Sequence, residues 1–391
     1  MLLGILCGYF GKGYYHLFKP LATIYMNLVK MIVIPTVFFA IIYGITNISD
    51  IGTIGRIGLK SSVVYVIATV IAVAVGVLAA NYLHPGIGID LLNGAADAAK
   101  GATSSSVTLE KIFVDIFPSN PIAAMANGNT LQVVFFALIF GLSLILAGEK
   151  AAEARKTLSS ITSAVFKMVE LVIQITPYGA FAIMVWIVGE HGFSLIFSLG
   201  KLAYTIMAAF AIQYLLFGSA LLLFKLNPLK FYKKTSNIQS IAFATSSSKA
   251  TIIPAMVELQ EKLGVSKKIA SFVLPLGAAV NMTGSAIYIA ICALFFAQVY
   301  GITLTHHQYL ILAITSTIGS MGAAGYPSGG VIMLSMVLPT IGLPIDHIPL
   351  IMGIDRLLDM FRTVINVTGD CTATVIVDKL NGSLDLEKYG G

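Results

Sequence analysis

Five charges sit in the last hydrophobic stretch of this chain: Asp355, Arg356, Asp359, Arg362 and Asp370, within GIDRLLDMFRTVINVTGD. On a helix turning about 100° per residue, Asp355, Asp359, Arg362, Asn366 and Asp370 share a stripe roughly 80° wide. Insertion scales put each charge at a bilayer centre at about 2.5–3.5 kcal/mol. A membrane segment does not keep such a stripe for packing, so it is expected to face a polar cavity. Arg362 is a fixed cation with a planar fork, suited to a carboxylate held by two bonds. Asp359, one turn earlier, can accept from an ammonium group. Asn366, one turn later, can donate to a carboxylate or lend its oxygen to a cation. A cation and an anion side by side match an acidic amino acid. The competing reading is an internal salt-bridge ladder that stiffens the helix, a task neutral side chains do with less desolvation.

The elements that hold these residues are membrane spans. Of 391 residues, 57% are hydrophobic and only 11% charged, and the mean hydropathy is +0.89. Soluble domains carry about 25% charged residues. Apolar runs at Met31–Ile48, Val63–Leu83, Val133–Ala147, Ala203–Phe224, Ile269–Val299 and Leu310–Leu338 approach or exceed the roughly 20 residues that cross a bilayer. The fold class is an all-α polytopic membrane protein. The alternating strands of a β-barrel are absent from the pattern.

The net charge of +6 is not a nucleic-acid signal, because the basic residues are scattered over short loops. Arg56 and Lys60, Arg155 and Lys156, Lys225 to Lys234, and Lys262 to Lys268 mark loops expected on the cytoplasmic side. The loop Pro85–Pro118 holds four acids and two lysines and is expected outside; its Gly/Ala/Ser-rich part, Gly86–Val107, reads as a solvated connection. Cys7, Cys292 and Cys371 lie far apart in apolar sequence and read as buried small hydrophobes, with no disulfide framework or metal cluster. The run Met1–Phe10 is too short to span alone and lacks signal-peptide features, so the chain is expected to begin partway into its first helix.

In the first half, helices are expected near 1–17, 20–48, 57–84, 119–148, 153–189 and 194–226. In the second half, Asn227–Met256 centres on SIAFATSSSKATIIP, too polar for a lipid-facing span and too apolar for a loop. Thr305–Pro339 is apolar but broken by GSMGAAGYPSGG. Both read as re-entrant helical hairpins, whose irregular tips are tolerated only against protein or a water-filled cavity. A helix with an Asn-rich polar break follows each: Asn281–Gly284 after the first, Asn366–Asp370 after the second. Hairpin–helix twice over is an internal repeat, and paired broken segments point to a transporter binding site near the midplane.

Four motifs carry a family resemblance: SSSKAT (246–251), NMTGSAIY (281–288), GAAGYPSGG (322–330) and DMFRTVINVTGD (359–370). Over nearly its whole length the chain resembles the dicarboxylate/amino acid:cation symporter family, which includes glutamate and aspartate transporters. The resemblance implies eight transmembrane helices plus two re-entrant hairpins, arranged as inverted repeats in a homotrimer of elevator type. Scaffold helices 1–2 would occupy 1–56, transport-domain helix 3 and the external loop 57–118, and scaffold helices 4–5 119–192. Transport-domain helix 6 would occupy 193–226, hairpin 1 227–264, broken helix 7 265–304, hairpin 2, the external lid, 305–346, and helix 8 with the tail 347–391. It implies an acidic amino acid as substrate, multi-pass residence in the cell's inner (plasma) membrane, and no enzymatic role.

Arg362 would then take the substrate's side-chain carboxylate, Asp359 its amino group, and Asn366 with Thr363 its main-chain carboxylate. Ser247, Met282, Ser285, Tyr326 and Gly330 occupy further substrate-contact positions. The coupling cation would be Na⁺, with H⁺ as the alternative. One sodium site would use Asp370 with Gly277, Asn281 and Asn366. A second, mostly of backbone carbonyls, would use Ala279, Ser320, Met321 and Ala323. A third family site departs: Thr283 stands where sodium-coupled relatives carry Asp, and Ala68 replaces a threonine, although Tyr65, Thr69 and Asn281 remain. Losing that carboxylate predicts a third site that is absent or badly weakened. Ile289 replaces an acidic residue that serves proton coupling in animal relatives, so fewer sodium ions are the first reading. Proton coupling through Asp359 or Asp370, and uncoupled exchange, stay open.

Arg356 lies about 100° off Asp355 and is expected beside hairpin 1, tuning Asp359, since relatives place an arginine here or where this chain has Thr245. Ser246 and Lys249 spell S-x-x-K without the partner motifs of penicillin-binding enzymes. His306 and His307 lack metal-site partners, and the sequons at Asn281 and Asn366 lie at membrane depth. A C4-dicarboxylate or neutral amino acid substrate, and a channel or intramembrane hydrolase, are the competing functions. Arg362 argues against a neutral side chain and Asp359 against a substrate without an amino group. No HExxH, GxSxG or paired-aspartate motif appears, and a channel would not need two lids.

Overall fold

A computed structural model describes residues 2–11, 13–46, 51–87, 114, 117–191, 194–322, 329–345 and 347–390. Among them there are helices and no strands. The first half forms α1 (Leu2–Phe10), α2 (Lys19–Thr46), α3 (Ile51–Leu83), α4 (Pro121–Ala126), α5 (Thr130–Leu146), α6 (Ala152–His191) and α7 (Ser194–Leu223). The expected segment 1–17 is shorter, with α1 ending at Phe10 and a single 3₁₀ turn at Tyr15–Phe18. The segment 119–148 is two helices. Asn120 and Asn129 each accept from backbone N–H groups of the helix that follows, and Gly128 between them sits at φ 69°. Capping side chains and a left-handed glycine stop one helix and start the next.

The second half is built as two helix pairs, each followed by a third element. The first pair is α8 (Pro228–Thr245) and α9 (Ile252–Leu263). Asn227 caps α8, with Pro228 at its first position, and Ser246 ends it in the left-handed region at φ 50°. After the pair come α10 (Lys267–Val280) and α11 (Thr283–Val299), interrupted only at Asn281 and Met282. The second pair is α12 (His306–Gly322) and α13 (Gly329–Thr340), whose connecting tip lies outside the described residues. The last long helix, α14 (Pro349–Asn381), is followed by the short α15 (Leu386–Gly390).

α14 corrects one expectation. It runs unbroken through Asn366–Asp370, where a polar break was expected. The polar side chains there do not compete with the helix for its own backbone. Thr372 and Thr374 hydroxyls donate to the carbonyls of Thr368 and Asp370, each at 2.7 Å. Asn366 bonds to another helix instead. The unbroken helix is what delivers the charged stripe as one continuous row.

α1, α2, α5 and α6 pack on one another, while α3 and α7 to α14 pack around α11 and α14. α11 is apolar on every side and is the centre of the molecule, with every residue from Thr283 to Ala297 buried. The spans Ile57–Leu83, Gly148–Trp186, Leu199–Leu223 and Lys267–Val299 are long and apolar enough to cross a bilayer. Exposed Val66, Ile67, Val70 and Ile71 on α3 and Leu215, Leu222 and Leu223 on α7 suit contact with lipid. Cys292 and Cys371 are buried as expected, but Cys7 is exposed, because α1 presents it on an outward face.

The end of α14 is latched to the start of α10. Asp378 is 0% exposed and accepts from the Ser266 N–H and hydroxyl, each at 2.8 Å, and from the Ser383 hydroxyl. Asp378→Ala would remove three hydrogen bonds to a buried carboxylate, made by half-buried Ser266 and exposed Ser383, where a bond to a charged group contributes about 1.5–3 kcal/mol. We expect a fall of about 3 kcal/mol in stability, read as a lower unfolding midpoint of the purified protein in detergent. An unchanged midpoint would remove the latch.

Candidate functional site

The site begins at the interruption between α10 and α11. Asn281 (φ −93°, ψ 76°) and Met282 (φ −103°, ψ 56°) leave the helical region. A restarted helix exposes N–H groups with no partner of their own. Two of these, at Gly284 and Ser285, donate to Oδ1 of Asn366 on α14 at 2.8 and 3.4 Å. The amide nitrogen of Asn366 faces the Ser285 hydroxyl at 3.4 Å. Gly284 permits this approach: a Cβ there would stand 2.5 Å from the Arg362 carbonyl oxygen. Asn366 therefore caps a helix other than its own.

One turn before Asn366, Arg362 is 2% exposed. Its Nη2 donates to Asp359, and its Nη1 to Asp355 at 3.2 Å. The guanidinium lies over the Tyr288 ring of α11, 4.5 Å from the centroid. The first turn of α13 closes over it: a Cβ on Gly330 would stand 2.5 Å from Nη1. Asp355 and Asp359 are each 2% exposed. The stripe thus faces inward as expected, but in this conformation its charged groups are shut against one another rather than lining open space. A buried arginine demands paired anions, and the two aspartates on its own helix supply them. Arg356, half-exposed, reaches Asp359 at 3.8 Å, as the expected tuning of Asp359 requires. Thr363 donates to the Asp359 carbonyl at 2.8 Å.

One turn beyond Asn366 lies a second buried acid. Asp370 accepts from the Asn281 amide at 2.9 Å. A Cβ on Gly277 would stand 2.7 Å from the Asp370 carboxylate and 2.8 Å from the Tyr65 hydroxyl. That hydroxyl donates to the Val273 carbonyl at 2.7 Å. So Asp370, Asn281 and Gly277, which the resemblance implies for one sodium site, lie together, with Tyr65 at their side. The Asn281 oxygen and the Thr283 hydroxyl are buried without a hydrogen-bond partner among the described residues. Thr69, expected near the third site, donates to the Tyr65 carbonyl at 2.8 Å.

The other predicted residues are less closely joined. Ser247 is half-buried, and its hydroxyl accepts from Ala250 N–H at 3.3 Å within its own tip. Met282 and Ser285 are buried at the α10–α11 interruption. Ala279 lies in α10, Ser320 and Met321 in the last turn of α12. The Ser320 hydroxyl donates to the Thr317 carbonyl at 2.8 Å. Ala323 and Tyr326 lie outside the described residues.

Three residues were missed. Tyr288, which underlies the guanidinium, is three residues after Ser285 and so on the same helix face. Asp355 was in the stripe but had no role. Lys249 was read only through S-x-x-K; it reaches the Phe166 ring of α6 at 4.5 Å and the Tyr43 ring of α2 at 5.9 Å.

The sodium:dicarboxylate symporter family model matches residues 1–380. The chain belongs to this family. It is similar to a proton/glutamate-aspartate symporter of Bacillus subtilis (strain 168), at 32% identity over 97% of this chain and 92% of that protein. A proton/sodium-glutamate symport protein of Bacillus caldotenax is 32% identical over 99% of this chain and 94% of its own length. A C4-dicarboxylate transport protein of Rhodospirillum rubrum is 32% identical over 99% and 88%. As a member of the sodium:dicarboxylate symporter family, the protein is a secondary transporter working by symport, multi-pass in the cell's inner membrane. These relatives are named for glutamate or aspartate in two cases and for C4-dicarboxylates in the third, and the two amino acid symporters are named for protons or for protons and sodium together. Those finer properties turn on individual side chains.

Proposed function

We propose that the protein carries an acidic amino acid, aspartate or glutamate, together with a cation. The observation that carries this reading is the pairing of Arg362 and Asp359 at a buried place on α14, with the first turn of α13 against them. Arg362 takes the side-chain carboxylate of the substrate and Asp359 its ammonium group. Thr363 and Asn366 meet the main-chain carboxylate. The tip at Ser247, the interruption at Met282 and Ser285, and the lid residues Tyr326 and Gly330 complete the enclosure. A neutral side chain would leave Arg362 without its ligand, and a substrate without an amino group would leave Asp359 unmatched. Relatives named for glutamate and aspartate support the assignment.

Sodium is the first reading for the coupling ion. It is a hard cation that prefers oxygen, and Asp370 with the Asn281 and Gly277 region offers a carboxylate beside unwound backbone. Ala279, Ser320, Met321 and Ala323 would supply a second site. A proton-coupled reading is kept for a specific reason. Thr283, an uncharged residue whose hydroxyl makes no bond among the described residues, stands where sodium-coupled relatives carry a carboxylate. The molecule works as a homotrimer of eight spanning helices and two re-entrant hairpins per subunit. α1, α2, α4, α5 and α6 form the fixed scaffold, and the remaining helices move across the bilayer as an elevator. Substrate and cation together favour lid closure more than either alone, because a ligand shifts a conformational equilibrium only through differing affinity for its states.

The test is uptake of labelled aspartate into sealed liposomes. Uptake saturates, requires an imposed cation gradient, and responds to sodium at fixed pH. Succinate competes weakly. Non-saturating flux would overturn the carrier reading. Succinate competing as well as glutamate would move the substrate to dicarboxylates, and dependence on pH alone would move the coupling to protons.

A further inference from the structure

Asp355 has no place in the substrate contacts proposed above, yet it is bonded to the residue that matters most there. The terminal nitrogens of Arg362 are divided between two acids, Nη1 to Asp355 at 3.2 Å and Nη2 to Asp359. One face of the guanidinium is covered by Tyr288, 4.5 Å away, and the first turn of α13 approaches Nη1 at Gly330. A planar fork holds an incoming carboxylate best through two parallel bonds. Each terminal nitrogen already bonds a carboxylate, one face is covered and Nη1 is closed off at Gly330, so a substrate carboxylate must compete with an aspartate for the paired edge of the fork.

The two aspartates are not equivalent. Asp359 is close to a second cation, Arg356, at 3.8 Å. Among the described ion pairs, Asp355 has Arg362 alone. Beside it on α11 stand the Tyr288 hydroxyl and the Cys292 thiol, with no second cation among the described ion pairs. The three buried charges sum to one excess negative charge, so a further carboxylate enters against repulsion unless Asp355 withdraws.

We infer that Asp355 is an internal stand-in for the substrate's distal carboxylate: it holds Arg362 in the empty carrier and must be displaced when an acidic substrate binds. This rests on the reading of Arg362 as the carboxylate receptor. The stand-in keeps the arginine paired in its buried site and subtracts from the affinity for any dianionic substrate. Asp355 is therefore a specificity-determining residue that contributes by competition.

The sign of one measurement tests this. L-aspartate and L-asparagine differ at the distal group alone. Their dissociation constants are measured by calorimetry on the purified, sodium-loaded protein in detergent. In Asp355→Asn, the preference for aspartate over asparagine rises by about tenfold, equivalent to roughly 1.4 kcal/mol. Asp355→Ser, which also lacks the charge, moves it the same way. A preference that falls would mean that Asp355 merely positions Arg362, and an unchanged one that the two never compete; either overturns the inference. Failure of both variants to fold would make Asp355 a structural counter-ion and overturn it as well. A wild-type protein that binds no acidic amino acid would instead overturn the function proposed above, and this inference with it.

Discussion

Arg362→Cys abolishes binding of aspartate and glutamate while a neutral amino acid of similar size still binds. The guanidinium is the group proposed to meet the distal carboxylate, and a charge-assisted pair in a closed site cannot be replaced by water. Affinity for the acidic substrate falls by at least about a thousandfold, the equivalent of roughly 4 kcal/mol. The same change strands Asp355 and Asp359, which are both 2% exposed and lose their common partner. Removing one member of a buried ion pair costs about 3–5 kcal/mol. The variant is therefore also less stable, and calorimetry of binding must be accompanied by an unfolding curve. Aspartate affinity retained within a few-fold of wild type, in a folded variant, would remove Arg362 from the carboxylate site.

Asp370→Asn produces the second large effect, on the cation rather than the substrate. The substitution preserves shape, and its carbonyl oxygen can still accept the Asn281 amide that now bonds at 2.9 Å. What disappears is the formal charge, which is what holds a cation away from water. Substrate affinity titrated against sodium shifts to concentrations higher by at least about tenfold. Thermal stabilisation by sodium alone, which reports binding to the folded state, shrinks in parallel. An identical sodium titration in wild type and variant would take Asp370 out of the cation site. Loss of the response to pH with an intact response to sodium would assign Asp370 to proton coupling.

The membrane class, the paired hairpins and the residues that carry charge were legible in the sequence, because each depends on local composition. A stretch from Ile269 to Ile345 without a single Asp, Glu, Lys or Arg cannot be a soluble segment. Asn227 before Pro228 announces the start of α8, and the polar tip at 246–251 its end. The spacing of Asp355, Asp359, Arg362, Asn366 and Asp370 placed them on one face, and all are buried on that face of α14.

Partnership was not legible. Asn366 was expected to break its helix because asparagine often competes for nearby backbone. In the fold α11 brings the N–H groups of Gly284 and Ser285 within reach, and the amide is used there instead, so α14 runs unbroken. Tyr288 and Asp355 were visible as residues but not as the neighbours of Arg362. Their contacts depend on how closely α11, α13 and α14 approach, and Gly284 and Gly330 set that distance by lacking a Cβ. By itself, the sequence determined a buried row of charges in a membrane protein with two interrupted hairpins. Only the tertiary structure decided which charge holds which, since an ion's partner is set by distance and exclusion of water, and neither is a property of the chain read in order.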